Sequence, residues 1–381
     1  MVKSTTVRPH GSAALQLGLP PQGESVAARQ RLRDKLGVCQ WFHYEDYTAV
    51  ERATQLLKEL GVTHLRTGIS WADFHRPNGK KWYDWQMGRL SESGLEVLLS
   101  VWHVPPSLSE GQACNAPPRR LDDYADFIEQ VIIEYGQTWH HLELWNEPNN
   151  HYKWNFKQYD PHWAKFAQMV GEAARRAKKR GRHTVLGGMI PVDHHWLRLI
   201  ESHGALDHID IVAIHAFPEM WWPNHPNWEW YGQWQGWKQK LDYIGQHTKG
   251  RPIWVTETGL ATWHIERRQE CRHDLQAGLM NDLIAAPAQR IYFYSLVDLD
   301  PAREAIEGFH VDENEYHMGL VTYDGRKKPA FHRLRNLLSG VPASSATGSA
   351  EARIPNNAAK DASIKVLSEP ISSASCSDCA I

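Results

Sequence analysis

An alternation constrains this chain more than any other feature. Eight short runs of β-branched and aromatic residues are separated by stretches with helical spacing. The candidate strands are Gly37–Phe42, His64–Ser70, Glu96–His103, His141–Glu147, Thr184–Met189, Ile209–Phe217, Pro252–Thr258 and Arg290–Val297. Several are apolar along most of their length, as parallel strands covered on both faces must be. Between the first two, Tyr47–Leu60 places Val50, Ala53, Leu56, Leu57 and Leu60 on one helical face and stops at Gly61. Leu121–Tyr135, His162–Lys179 and Gln269–Ala285 repeat that pattern, and Asn336, Leu337 and Leu338 close a last helix before Gly340. Eight strands alternating with helices over about 300 residues predict a single (β/α)8 barrel. A doubly wound open sheet is the competing topology. It carries a Gly-rich turn after its first strand, whereas here that strand runs into Trp41, Phe42, His43 and Tyr44.

The barrel is expected to span residues 36–340. Residues 1–35 contain Pro20 and Pro21 and show no clear period, which reads as a flexible arm or a short helix. Residues 341–381 are rich in Ala and Ser and lack aromatics, so they bury too little surface to order themselves and read as a disordered tail. Lys plus Arg total 42 against 44 for Asp plus Glu, a net charge of −2, which offers no field to draw in nucleic acid or an anionic membrane. No apolar run is long enough to cross a bilayer and none of the first 35 residues forms an apolar leader core, so residence in the cytoplasm is the default expectation. Five scattered cysteines do not make a disulfide framework, and the spacing of Cys376 and Cys379 is a weak metal or redox signal.

In such barrels the chemistry lies at the C-terminal ends of the strands. Strand four runs through Leu142, Glu143 and Leu144 into Trp145, Asn146 and Glu147, and Pro148 stops it. Alternation places Glu143, Trp145 and Glu147 on one face, with Asn146 as a hydrogen-bonding neighbour. Strand seven delivers Glu257 in the same way, with Gly259 freeing the turn after it. Strands four and seven are opposite each other in an eight-stranded barrel, so the two carboxyl groups meet across the cavity. A gap of about 5–5.5 Å gives retention of configuration, and about 6.5–9.5 Å leaves room for a water and gives inversion.

The pair needs different protonation states. Arg66 is placed to keep Glu257 ionised as the nucleophile, and it suits a salt bridge to Glu143 as well. His215 is a second donor to Glu257. The charge of Glu257 is then expected to keep Glu147 protonated as the acid/base. His103, at the end of strand three, reads as a contact for substrate or for a catalytic carboxyl, and Tyr294 as an aromatic on strand eight. His194 and His195 read as solvated residues early in a helix.

The chain holds 18 Trp, and a run after strand six holds Trp221, Trp222, Trp228, Trp230, Trp234 and Trp237. Trp228 and Trp230 are candidate sugar platforms, since the C–H faces of a sugar pack on aromatic rings; a self-packed loop core is the alternative. No His-Glu-x-x-His, acidic calcium loop or Gly-rich phosphate loop is present, so neither metal nor cofactor is expected.

These residues resemble glycoside hydrolase clan A, (β/α)8 enzymes with acid/base and nucleophile Glu at the ends of strands four and seven and an Asn before the acid/base, as in Asn146-Glu147-Pro148. The run Leu144-Trp145-Asn146-Glu147-Pro148-Asn149 is most similar to family 39, which includes β-xylosidases and exopolysaccharide-processing hydrolases; family 5 also carries Asn-Glu-Pro. Gly319-Leu320-Val321 and Asp324 to Phe331 resemble the exit of strand eight in that family. One departure is Phe293-Tyr294-Ser295, where the clan often has Trp. The resemblance covers roughly residues 36–340 and implies a retaining hydrolase of β-linked oligo- or polysaccharides. Two other functions compete: a catalytically silent carbohydrate-binding barrel, and a barrel isomerase or lyase, against which the missing phosphate segment counts.

Overall fold

A computed structural model of the chain describes residues 26–217, 236–264, 267–303 and 313–339. Eight parallel strands close into a barrel: β1 (Leu36–Cys39), β2 (His64–Ser70), β3 (Glu96–Trp102), β4 (Trp139–Leu144), β5 (His183–Met189), β6 (Ile211–His215), β7 (Ile253–Thr258) and β8 (Arg290–Tyr294). Each pairs with its neighbour in sequence, and β8 returns to β1 with Cys39 beside Tyr294. The strands are buried almost throughout, which is why they read as apolar runs rather than as alternating ones.

Helices lie between the strands. Tyr47–Leu60 starts where the Asp46 side chain accepts from the Ala49 amide and ends at Gly61, whose φ of 74° suits a residue without Cβ. The stretch read as one helix from Gln269 divides: Gln269–Glu270 pairs with Trp263–His264 as a small hairpin, and the helix begins at His273. The segment read as an arm or a short helix ends in a helix, Val26–Lys35. Its Arg33 donates to the Leu338 carbonyl (3.1 Å) and Lys35 to those of Ile284 (2.7 Å) and Ala286 (2.5 Å), so two cations answer the carbonyl ends of the last two helices. The tail proposed for 341–381 lies outside the described residues.

The two ends of the barrel differ in kind. At the N-terminal end Glu96 takes Arg290 at 3.0 Å and lies 3.5 Å from both His64 and His141, a closed structural cluster. At the C-terminal end carboxylates from β4, β7 and the turn after β4 converge on Arg66 and His215. No helix among the described residues is long and apolar enough to cross a membrane.

Candidate active site

Arg66 organises the C-terminal end. It sits inside β2 with no solvent exposure and directs its fork at three side chains: Nε donates to Glu143 Oε2 on β4 (2.7 Å), Nη1 to Glu257 Oε1 on β7 (2.5 Å) and Nη2 to Asn146 Oδ1 just after β4 (2.8 Å). Cys39 Sγ from β1 lies 3.4 Å from Nη1 and 3.9 Å from Glu257 Oε1, and the guanidinium packs over the Trp41 ring at 4.8 Å. Burial works against the charge of Arg66, but Glu143, Cys39 and Glu257 outweigh it and hold the group cationic. The two partners that the sequence offered to Arg66, Glu143 and Glu257, are therefore bound together. The rigid planar fork makes this possible, where a lysine would present a single point of charge.

Glu147 arrives by a different route from the one strand alternation predicts. β4 ends at Leu144, and the backbone turns left-handed at Trp145 (φ 74°) and again at Glu147 (φ 46°). Glu147 therefore stands on a tight turn instead of continuing the pleat of Glu143. The chain folds back at once: Asn150 N donates to Glu147 O (3.0 Å), Asn150 Nδ2 to Glu147 Oε2 (3.1 Å), and the Trp145 indole to Lys153 O (3.1 Å).

His215 closes the pair. Its Nδ1 lies 2.9 Å from Glu147 Oε1 and 3.5 Å from Glu257 Oε2, so the hydrogen bond goes to Glu147 and not, as the strand order suggested, to Glu257. One oxygen of each carboxyl group and this ring nitrogen all lie within 4.8 Å of one another. The imidazole fits only because Gly188 on β5 has no side chain: a Cβ there would lie 2.0 Å from His215 Nε2. Burial raises the proton affinity of Glu147, but His215, Lys153 and Asn150 together overcome it and hold the carboxyl down at about 2. The groups around Glu147 thus lower its proton affinity, whereas the charge of Glu257 was expected to raise it.

His103 follows β3 in a left-handed conformation (φ 63°) and is buried. Burial and the charge of Lys153 push its imidazole down to about 3, so it is neutral, and its Nδ1 has no partner among the described residues. Tyr294 ends β8, is buried, joins Ser295 through a cis peptide, and meets Phe217 edge-on at 6.2 Å. Burial, then the charges of Glu315 and Glu257, push its hydroxyl well up. Trp228 and Trp230 lie outside the described residues. His194 departs from its solvated reading: it is buried beside Tyr243, whose hydroxyl lies 2.7 Å from Nδ1, while His195 is exposed. The reason is its position one helical turn before Leu197, on the inward face of the helix His194–Ser202.

Sequence reasoning missed Lys153, Asn150 and Glu315. Lys153 and Asn150 stand on a loop and Glu315 on the short helical turn Glu313–His317, where no period marks them. Lys153 has one visible signal, a lone cation between Tyr152 and Trp154 in an aromatic stretch just after Glu147.

Among the described residues, two groups of three side chains have donor atoms close enough to hold a metal ion: Glu147, His215 and Glu257, and a second set of Glu270, Asp298 and His317. The first already has a cation against it, Arg66 on Glu257. The second surrounds the ammonium of Lys328, 2.8 Å from Asp298 Oδ1 and 3.6 Å from Glu270 Oε1, so the chain provides its own positive charge there.

No family-wide sequence profile matches this chain. Among curated proteins it is 29% identical over 133 residues to the probable inactive beta-glucosidase 25 of Arabidopsis thaliana, a match over 32% of this chain and 24% of that protein's length. The matched stretch is thus about a quarter of that relative. Among solved structures, a family 39 glycoside hydrolase from the gut symbiont Bacteroides cellulosilyticus superposes with a TM-score of 0.58 at 18% identity, over 83% of this chain and 65% of that one. A family 5, subfamily 18 enzyme from Bifidobacterium longum subsp. longum, in complex with Manβ1-4GlcNAc, gives a TM-score of 0.60 at 15% identity, over 81% of this chain and 79% of that one. The fold is that of the (β/α)8 glycoside hydrolases, and both families suggested by Asn146-Glu147-Pro148 are among its structural neighbours.

Proposed function

We propose that this chain is a retaining glycosidase acting on a β-linked oligo- or polysaccharide, with Glu257 as nucleophile and Glu147 as acid/base. The observation that carries the reading is the meeting of two carboxyl groups from β4 and β7 with oxygens within 4.8 Å. That proximity supports direct attack on the anomeric carbon, as in a retaining enzyme. Arg66 fixes Glu257 Oε1 and leaves Oε2, beside His215, to attack. The carbon–oxygen bond to the leaving sugar breaks as the glycosyl–Glu257 ester forms, and Glu147 gives its proton to the departing oxygen. Water then hydrolyses the ester, with Glu147 taking the proton back. His103 Nδ1 and Tyr294 are candidate sugar contacts, and Trp228 and Trp230 are proposed as sugar platforms.

One observation favours a second reading, a silent carbohydrate-binding barrel: His215 and Asn150 both bond the Glu147 carboxyl and favour its charged form, which has no proton to donate. A screen of aryl β-glycosides separates the two. Turnover by wild type, lost in Glu147→Gln and Glu257→Gln, with first-formed product of retained configuration by NMR, supports the glycosidase. Binding of oligosaccharides by wild type without turnover on any aryl glycoside supports the silent barrel.

A further inference from the structure

We propose that Asn150 is a positioning residue for Glu147: its amide reserves Oε2 as an acceptor and so places the proton of the acid/base on Oε1, beside His215. This rests on the reading of Glu147 as acid/base and deepens it, to the oxygen of that carboxyl which gives and takes the proton.

The turn after β4 brings Asn150 back onto the carboxyl. Pro148 supplies the fixed φ that suits the second position of a β-turn, and Asn150 N closes the turn on Glu147 O (3.0 Å). The two asparagines that follow Pro148 then diverge. Asn149 Nδ2 donates to Pro191 O (2.7 Å) and its Oδ1 accepts from Ile190 N (2.9 Å), which ties the turn to the chain after β5. Asn150 O accepts from Lys153 N (2.9 Å) and Trp154 N (3.0 Å), and its Oδ1 accepts from Tyr152 N (3.1 Å). A backbone N–H can only donate, so the amide oxygen must face Tyr152. That leaves Nδ2 to face Glu147 Oε2, at 3.1 Å.

The two oxygens of Glu147 therefore have unlike partners. Oε2 faces a group that can only donate. Oε1 faces His215 Nδ1 at 2.9 Å, which donates or accepts according to which ring nitrogen bears the hydrogen. A proton on Oε2 would set an O–H where an N–H already points and weaken that oxygen as an acceptor, whereas a proton on Oε1 leaves the Asn150 bond intact. Burial, His215 and the charge of Lys153 act on how readily the carboxyl takes a proton, and the two hydrogen bonds choose the oxygen. As the glycosidic bond breaks, the proton on Oε1 passes to the leaving oxygen. In the second step Oε1 takes a proton from the water that attacks the glycosyl–Glu257 ester. Asn150 holds Oε2 through both.

The test uses the full chain with Asn150→Ala and Asn150→Asp. Asn150→Asp keeps the acceptor for Tyr152 N and both main-chain contacts, and it replaces only the N–H group by an oxygen. On an unactivated aryl β-glycoside, which needs the proton, Asn150→Ala should lower kcat/KM by about tenfold or more. On a dinitrophenyl β-glycoside, which leaves without it, the change should stay within about twofold. In Asn150→Asp two carboxyl groups must share one proton at Oε2. The alkaline limb of kcat/KM, and the Glu147 titration read by infrared difference against the matching Glu147→Gln protein, should both move up by about one pH unit or more. Its urea unfolding midpoint should stay near wild type, and it carries the test if Asn150→Ala does not fold. Equal losses on the two glycosides, or an unmoved carboxyl titration in Asn150→Asp, overturn the proposal. The infrared titration needs no turnover. A shifted carboxyl in a protein that cleaves no glycoside would leave the assignment of Asn150 to Oε2 standing and remove only the glycosidase reading.

Discussion

Two buried cations stand at the same end of this barrel with opposite surroundings. Lys328 spends its three donors on Thr262 Oγ1 (3.0 Å), Asp298 Oδ1 (2.8 Å) and His317 O (3.1 Å). Asp298 Oδ1 also accepts from Gly319 N (2.7 Å), Glu270 Oε1 accepts from Thr262 and His317, and Trp263 stacks on His317 at 4.8 Å as a cover. That cluster is complete and ties the hairpin after β7 to the chain after β8. Around Arg66 the arrangement is unfinished. Glu147 keeps 14% exposure, and His103 Nδ1 and His215 Nε2 lack partners among the described residues. Buried polar atoms are normally satisfied, so a cluster that leaves several open beside two carboxylates is shaped for a ligand, whereas a saturated one is shaped for stability.

The largest expected effect tests that division directly. Glu257→Gln should lower kcat/KM by at least about 10⁴-fold, since no other carboxyl can form the glycosyl ester, while the thermal unfolding curve stays close to wild type. Activity retained within tenfold would show that the open cluster is not the reacting one. Next in size, Lys328→Met should cost about 3–5 kcal/mol of stability in urea unfolding, because it leaves the buried Asp298 and the half-buried Glu270 without their cation. Folded Lys328→Met, assayed well below its midpoint, should hydrolyse the same aryl glycosides as wild type. Unchanged stability would mean that the closed cluster is not structural.

How much of this could be read from sequence follows from what each feature depends on. The eight strands were legible because both faces of each are buried, so they print apolar runs in the chain. Arg66, Glu143 and Glu257 were legible for the complementary reason: a charge inside such a run is expensive and must have a partner. Glu147 was legible as a residue but not as a geometry. The left-handed turns at Trp145 and Glu147 fall on residues that rarely adopt them, and tertiary contacts, not local preference, impose them. Those same turns wrap the loop onto itself and bring in Asn150 and Lys153. A reading that extends the strand therefore misses the groups that set the charge of Glu147. His194 failed for a smaller reason, that one turn of helix decides which of two adjacent histidines faces inward.

The smallest expected effect sharpens the picture of the closed cluster, through two carboxylates that titrate in opposite senses. Burial alone would raise Glu270, but Thr262, Lys328 and His317 overcome it and bring the group to about 2, below its ordinary 4.5. Its contribution to stability is therefore present above pH 4.5 and is lost as pH falls towards 2. Asp298 is raised by burial to about 6, with Lys328 and Gly319 only partly offsetting it. Its contribution is present below its ordinary 3.8 and is lost as pH rises through about 6. The two together predict a stability maximum between these windows, near pH 4–5, as far as this cluster is concerned. Unfolding free energies measured by urea from pH 2.5 to 7 should show Glu270→Gln flattening the acid side and Asp298→Asn flattening the side towards neutrality. Each change should be on the order of 1 kcal/mol, since a partly solvated carboxylate gives up less than its full shift in free energy. Identical pH slopes in wild type and both variants would mean that these carboxylates do not differ between the folded and unfolded chain, and the closed cluster would then lose its claim to being the finished half of the pair.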